Sequence, residues 1–203
     1  MKEVFQVVFP GLMLMWVCFI ANGVFADIFE EYKGHTISRL LAGGVTLGEV
    51  LLSKILRCLV VCWICELLLI LFTGVVFGIA WRNPVMLFVV LTSFNVFLLG
   101  LLALIYGYSR STELANAITV FVFMFAAVLG GSFMPFDELP SVLQAVGRWT
   151  MIRMGNYGIE SLFQSRPIWD ALRPSLCLMV AGLILAGAGT RVLRKRFESG
   201  RVV

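Results

Sequence analysis

Five stretches of this chain run for seventeen residues or more with at most one charged side chain, and charges cluster in the short segments between them. The apolar windows are 4–26, 58–81 (interrupted only by Glu66), 83–109, 114–136 and 174–190. A hydrocarbon core of about 30 Å is crossed by roughly 20 apolar helical residues. Each window is therefore read as one membrane-spanning helix, with spans at about 4–27, 55–81, 84–108, 114–135 and 171–192. The last window is short, and Arg173 and Arg191 at its ends extend it by snorkelling. The first is longer than the apolar part of a signal peptide and is followed by Asp27 and Glu30-Glu31 without a small-x-small cleavage site, which excludes a cleaved leader.

Two segments between the spans carry patterns of their own. In 29–54, Ile37, Leu40 and Leu41 fall at i, i+3, i+4 and share one side of a short helix, while Lys33, His35 and Arg39 lie mostly elsewhere on its surface. Gly43-Gly44 stops that helix. Thr46 followed three residues later by Glu49 reads as a capping box opening the next one. Two readings stand: a solvated elbow between spans, or a surface on which a soluble partner docks. In 137–168, Leu139, Val142, Leu143, Val146 and Trp149 keep helical spacing, with Pro140 near its start, and a second short helix is expected over 156–164. Trp149, Tyr157 and Trp169 place these short helices at the outer headgroup layer.

Composition turns these windows into a fold class. With 60% hydrophobic and 14% charged residues and a mean hydropathy of +0.96, the 203 residues depart far from a soluble domain, about a quarter charged. The expectation is an all-α, polytopic integral membrane bundle, one domain over 1–203, of five transmembrane helices with a short helix in 29–54 and short interfacial helices in 137–168. Ten basic residues fall on the side of the 29–54 loop and the RVLRKRF tail, six on the other. The richer side is read as cytoplasmic, which puts the N-terminus outside and the C-terminus inside a cell-membrane protein. The net charge of +4 then says nothing about nucleic acid.

Candidate chemistry is sparse. GGVTLGEV lacks the Lys-Ser/Thr of a phosphate-binding loop, no HExxH is present, and His35 has no second imidazole with which to share a metal. No catalytic, cofactor-binding or metal residue is assigned, and the chain is not read as an enzyme. The five cysteines lie in apolar runs, and Cys58, Cys62 and Cys65 share a helix face that packing explains better than a soft metal. Glu66 stands out, because a carboxyl near the middle of a span faces a polar interior or a partner; Asn95 is a candidate to pair with it. Gly182, Ala186 and Gly189 allow close approach of another helix.

The order Glu31, Gly34, Thr36, Arg39-Leu40-Leu41, Glu49 and Lys54 resembles the loop between the second and third spans of the ABC-2 type transporter permeases, with Gly43-Gly44 where that family usually has a proline. GGSFMPFDELP is similar to the family's outer motif through Gly130, Gly131, Phe133, Pro135, Leu139 and Pro140; Met151 stands where many relatives have a further proline. The resemblance implies that the loop carries a coupling helix resting on a separate ATP-binding cassette ATPase, and that ATP acts through that partner. It also implies that two permease copies or homologues pair. On this alignment the chain starts at the family's second span, so either Met1 begins a fragment or another polypeptide supplies the missing helix. The function implied is an ATP-driven exporter's permease, for a drug or lipid-like substrate. The rival is a non-transporting membrane sensor or assembly protein whose cytoplasmic loop binds a regulator.

Overall fold

The computed structural model describes residues 2–33, 43–79, 81, 83–164 and 166–198, and among these every regular element is a helix. The long helices are α1 (Lys2–Lys33), α2 (Leu47–Phe77), α3 (Pro84–Tyr108), α4 (Thr112–Leu129) and, last in the chain, α7 (Ile168–Glu198). Each is long and apolar enough to cross a membrane, α7 over Ile168–Arg194. Between α4 and α7 come a single 3-10 turn (Phe136–Glu138), α5 (Ser141–Gly147) and α6 (Met151–Phe163).

Helix ends depart from the charge-free windows where local chemistry overrides charge. The second span was expected from about residue 55, and the helix that carries it begins where the Thr46–Glu49 cap was read, at Leu47. There the Thr46 hydroxyl accepts the Glu49 N–H (3.3 Å), and the Glu49 carboxylate accepts the Thr46 N–H (2.8 Å), satisfying two donors that the first turn leaves open. Gly78, left-handed at φ 64°, ends it, so the expected boundary at 81 falls beyond the helix. The last helix is longer than the 171–192 expected, because its polar flanks stay helical outside the apolar stretch. In the outer segment the expected second short helix begins five residues early: Thr150 accepts the Arg153 N–H (3.3 Å) and caps α6 at Met151 rather than at Asn156.

α1 and α3 form the middle of the bundle, while α2 and α7 expose most of their apolar length. Val60, Leu67, Leu71 and Val75 of α2 are exposed, as a lipid-facing helix requires. The most extensive helix–helix contact is between α3 and α7. A Cβ placed on Gly182 would meet the backbone of Phe97 at 2.6 to 2.7 Å, and one on Gly100 would meet the Gly182 carbonyl at 2.7 Å. Small residues thus let two backbones touch where lipid supplies no hydrophobic drive to bring helices together.

Candidate functional site

At one end of the bundle the C-terminus of α1 and the first turns of α2 are joined by charge. Arg57 bonds Asp27 at 3.0 Å and lies 3.6 Å from Glu31, while Lys54 pairs with Glu31. Arg57 also reaches the Val24 carbonyl (3.5 Å). Partly exposed pairs contribute roughly 0 to 1 kcal/mol each, so the value of this cluster is to hold two helix ends side by side. Of the residues expected in the docking loop, Glu31 and Glu49 are placed, one in the ion-pair cluster and the other in the capping box. Gly34, Thr36, Arg39, Leu40 and Leu41 lie outside the described residues. At the same end a cleft of about 310 Å³ separates α2 from Thr190, Arg191 and Arg194 of α7.

Inside the bundle, the structure brings Glu66 and Asn95 together: the Asn95 carboxamide donates to Glu66 Oε2 at 3.0 Å, tying α2 to α3, and Glu66 is 1% exposed. Glu66 Oε1 and Asn95 Oδ1 have no partner among the described residues. A second polar tie was missed from the sequence. Tyr106 donates to Asn22 Oδ1 (2.9 Å), and the Asn22 amide donates to Asn116, so that α1, α3 and α4 meet on one hydrogen-bonded chain. Its only sequence signal is an Asn inside an otherwise apolar run. Thr92, Thr119 and the Asn156 carboxamide are further buried polar groups without partners among the described residues. Of the cysteine face, Cys58 and Cys62 are buried, Cys58 Sγ against the Ala21 carbonyl (3.6 Å), and Cys65 is half-buried. Among the described residues no three His, Cys, Asp or Glu side chains come together to hold a metal.

At the opposite end, the glycine-rich motif is a corner. Gly130 caps α4 so close to α6 that a Cβ would lie 2.8 Å from Ile152. Gly131 takes φ +83°, a left-handed turn that disfavours other residues. The turn aims Ser132 at α1, where its hydroxyl donates to the Gly11 carbonyl (2.9 Å). Pro135 starts the 3-10 turn, Pro140 precedes α5, Leu139 is buried and Phe133 is exposed. The Phe136 ring lies under the Arg153 guanidinium (4.1 Å), which forms two bonds to Glu160 at 3.0 and 3.1 Å. Burial pushes the Glu160 carboxyl above its usual range, the Arg153 charge and hydrogen bonds pulling it back only in part.

Sequence comparisons bear on this arrangement. Residues 1–191 match the family described as ABC-2 family transporter protein. The linearmycin resistance permease protein LnrN of Bacillus subtilis (strain 168) is 25% identical over 185 residues, covering 91% of this chain and 48% of that protein. The putative transport permease YvfS of the same organism is 26% identical over 94 residues, 46% of this chain and 37% of that protein. The chain thus spans less than half the length of either curated relative. No solved structure matches it.

Proposed function

The chain belongs to the ABC-2 transporter family, and from that premise we propose that it is the permease subunit of an ATP-driven exporter, working in the membrane with a separate ATP-binding cassette subunit. It is a multi-pass membrane protein. The observation that carries the reading is the family match across nearly the whole chain, from the first span to within a turn of the end of the fifth. The ion-paired ends of α1 and α2 support it, because a push on the loop joining them reaches both helices together. Two copies, or this chain and a homologue, flank the pathway. Buried polar groups such as Glu66, Asn95 and Asn156 offer hydrogen bonds to an amphiphilic cargo, and linearmycin, named for the relative LnrN, is the first substrate to test.

In this mechanism ATP is bound and hydrolysed by the partner, and this chain converts the partner's closure into movement of its spans. Leu40 and Leu41 fill a groove on the cassette subunit, each contributing about 1.5 to 3 kcal/mol of burial. Replacing both with Ser leaves insertion intact and weakens the complex at least about tenfold. The measurement is co-purification with the cassette subunit and substrate-stimulated ATP hydrolysis in liposomes. Wild-type binding and stimulation in the double variant would return the loop to a solvated elbow and remove the basis for coupling.

A further inference from the structure

A cavity of about 470 Å³ lies at the end of the bundle away from the ion-paired helix ends, walled by the 3-10 turn, α5, α6 and the start of α7. That volume is typical of small-ligand sites, roughly 300 to 1,000 Å³. One charge on its wall is already satisfied: Arg153 is held by Glu160, with both side chains 12% exposed, and by the Phe136 ring. Two others are not. Arg148 and Asp137 line the same cavity without pairing with each other, and among the described residues neither side chain has a hydrogen-bonding or ionic partner. Gln144 cannot serve Asp137, since its amide donates instead to the Asp137 and Leu139 backbone carbonyls (3.2 and 2.8 Å).

A guanidinium and a carboxylate that line one cavity, both exposed to it and unpaired with each other, suit a ligand carrying both charges, an anion for Arg148 and a cation for Asp137. Trp149, 77% exposed on the cavity wall, adds a ring face that attracts a cation. Location narrows the ligand further. The cavity sits where α4 ends and α7 begins, with Pro174 of α7 in its wall and exposed Phe133, Val142, Val146 and Trp169 around this end of the bundle. An aromatic and apolar rim of this kind marks the depth of the lipid headgroups.

We propose that this cavity binds the headgroup of a zwitterionic, ammonium-bearing membrane phospholipid, with the phosphate on Arg148, the ammonium between Asp137 and Trp149, and the acyl chains lying along α7. The assignment does not depend on which cargo the protein exports.

The test uses the full chain extracted in mild detergent from membranes holding both phosphatidylethanolamine and phosphatidylglycerol, with retained lipid counted by mass spectrometry. Wild type retains the ethanolamine lipid over the glycerol lipid by roughly fivefold or more, and Arg148→Gln loses about tenfold of it, as a missing charge-assisted phosphate contact dictates. Arg148→Lys, which keeps the charge, retains it. Asp137→Asn still holds lipid but no longer prefers the ethanolamine headgroup. Arg110→Gln alters an exposed arginine just beyond α3, at the other end of the bundle, and behaves as wild type. Free phosphoethanolamine fails to displace the lipid; displacement would make the ligand a soluble zwitterion and overturn the lipid assignment. Equal retention by wild type and Arg148→Gln, or equal retention of both lipids by wild type, also overturns it.

Discussion

Two buried polar residues show how a single substitution can cost more than a double one. In the Glu66–Asn95 tie the amide is the only hydrogen-bond donor recorded to the carboxyl among the described residues. Asn95→Leu leaves both Glu66 oxygens without a partner and is expected to destabilise the protein by about 1 to 3 kcal/mol. The double change Glu66→Leu/Asn95→Leu removes the acceptor with the donor and recovers most of that loss, as thermal unfolding in detergent will show. Glu66→Gln keeps the shape and part of the bonding; it leaves insertion intact and alters transport. Loss of insertion with no separate transport defect would make Glu66 purely structural. Glu160 makes a pH-dependent contribution instead. Because burial raises its folded pKa, the folded chain holds this proton more tightly than the unfolded chain, so the contribution is fully present below the ordinary carboxylate pKa of about 4.3 and is lost as pH rises through the folded value. Between pH 4 and neutrality the wild-type melting temperature should therefore fall relative to that of Glu160→Gln. A constant difference would show that the carboxyl titrates alike in both states.

Among the elements, α7 is held by its glycines unequally. Gly182→Ala forces a Cβ against the Phe97 backbone and is expected to cost about 1 to 3 kcal/mol by pushing α7 off α3. Gly187, with nothing within 4 Å of a Cβ, should accept Ala with no loss and a gain in helix propensity. If both variants melt alike, the α3–α7 contact is looser than its geometry states. This contrast also marks the limit of sequence reading. The stripe of small residues was visible along the chain, as were the five apolar runs and the Thr46–Glu49 cap, because each is a local pattern. Which glycine is pressed and which is free depends on the facing helix, which no local pattern encodes. α2 and α7 run past the spans expected within them for a simpler reason: a charge stops a helix from lying in hydrocarbon but does not stop it from being a helix.

For the whole molecule, the same limit explains why the Tyr106–Asn22–Asn116 chain went unseen while the pairing of Glu66 and Asn95 could be suggested. A carboxyl within an apolar run demands a partner, whereas Asn22 and Tyr106 are separated by 84 positions and neither is conspicuous alone. Orientation rests on the ten-to-six split of basic residues and predicts that a cysteine placed at Gly200 is labelled only from the cytoplasmic side. Labelling from outside would put the 29–54 loop beyond the reach of an ATPase. The ion-paired ends of α1 and α2 carry a mechanical consequence. Both helices continue beyond their apolar stretches, α2 by about ten residues, or roughly 15 Å of overhang at 1.5 Å per residue. Two rods lashed side by side by Arg57 and Lys54 bend far less than one, so on the coupling proposed above the overhang would act as a stiff lever arm with its fulcrum at the membrane surface. A sideways shift of the loop is then delivered, reversed in direction, to the far ends of both spans instead of being absorbed as flexing.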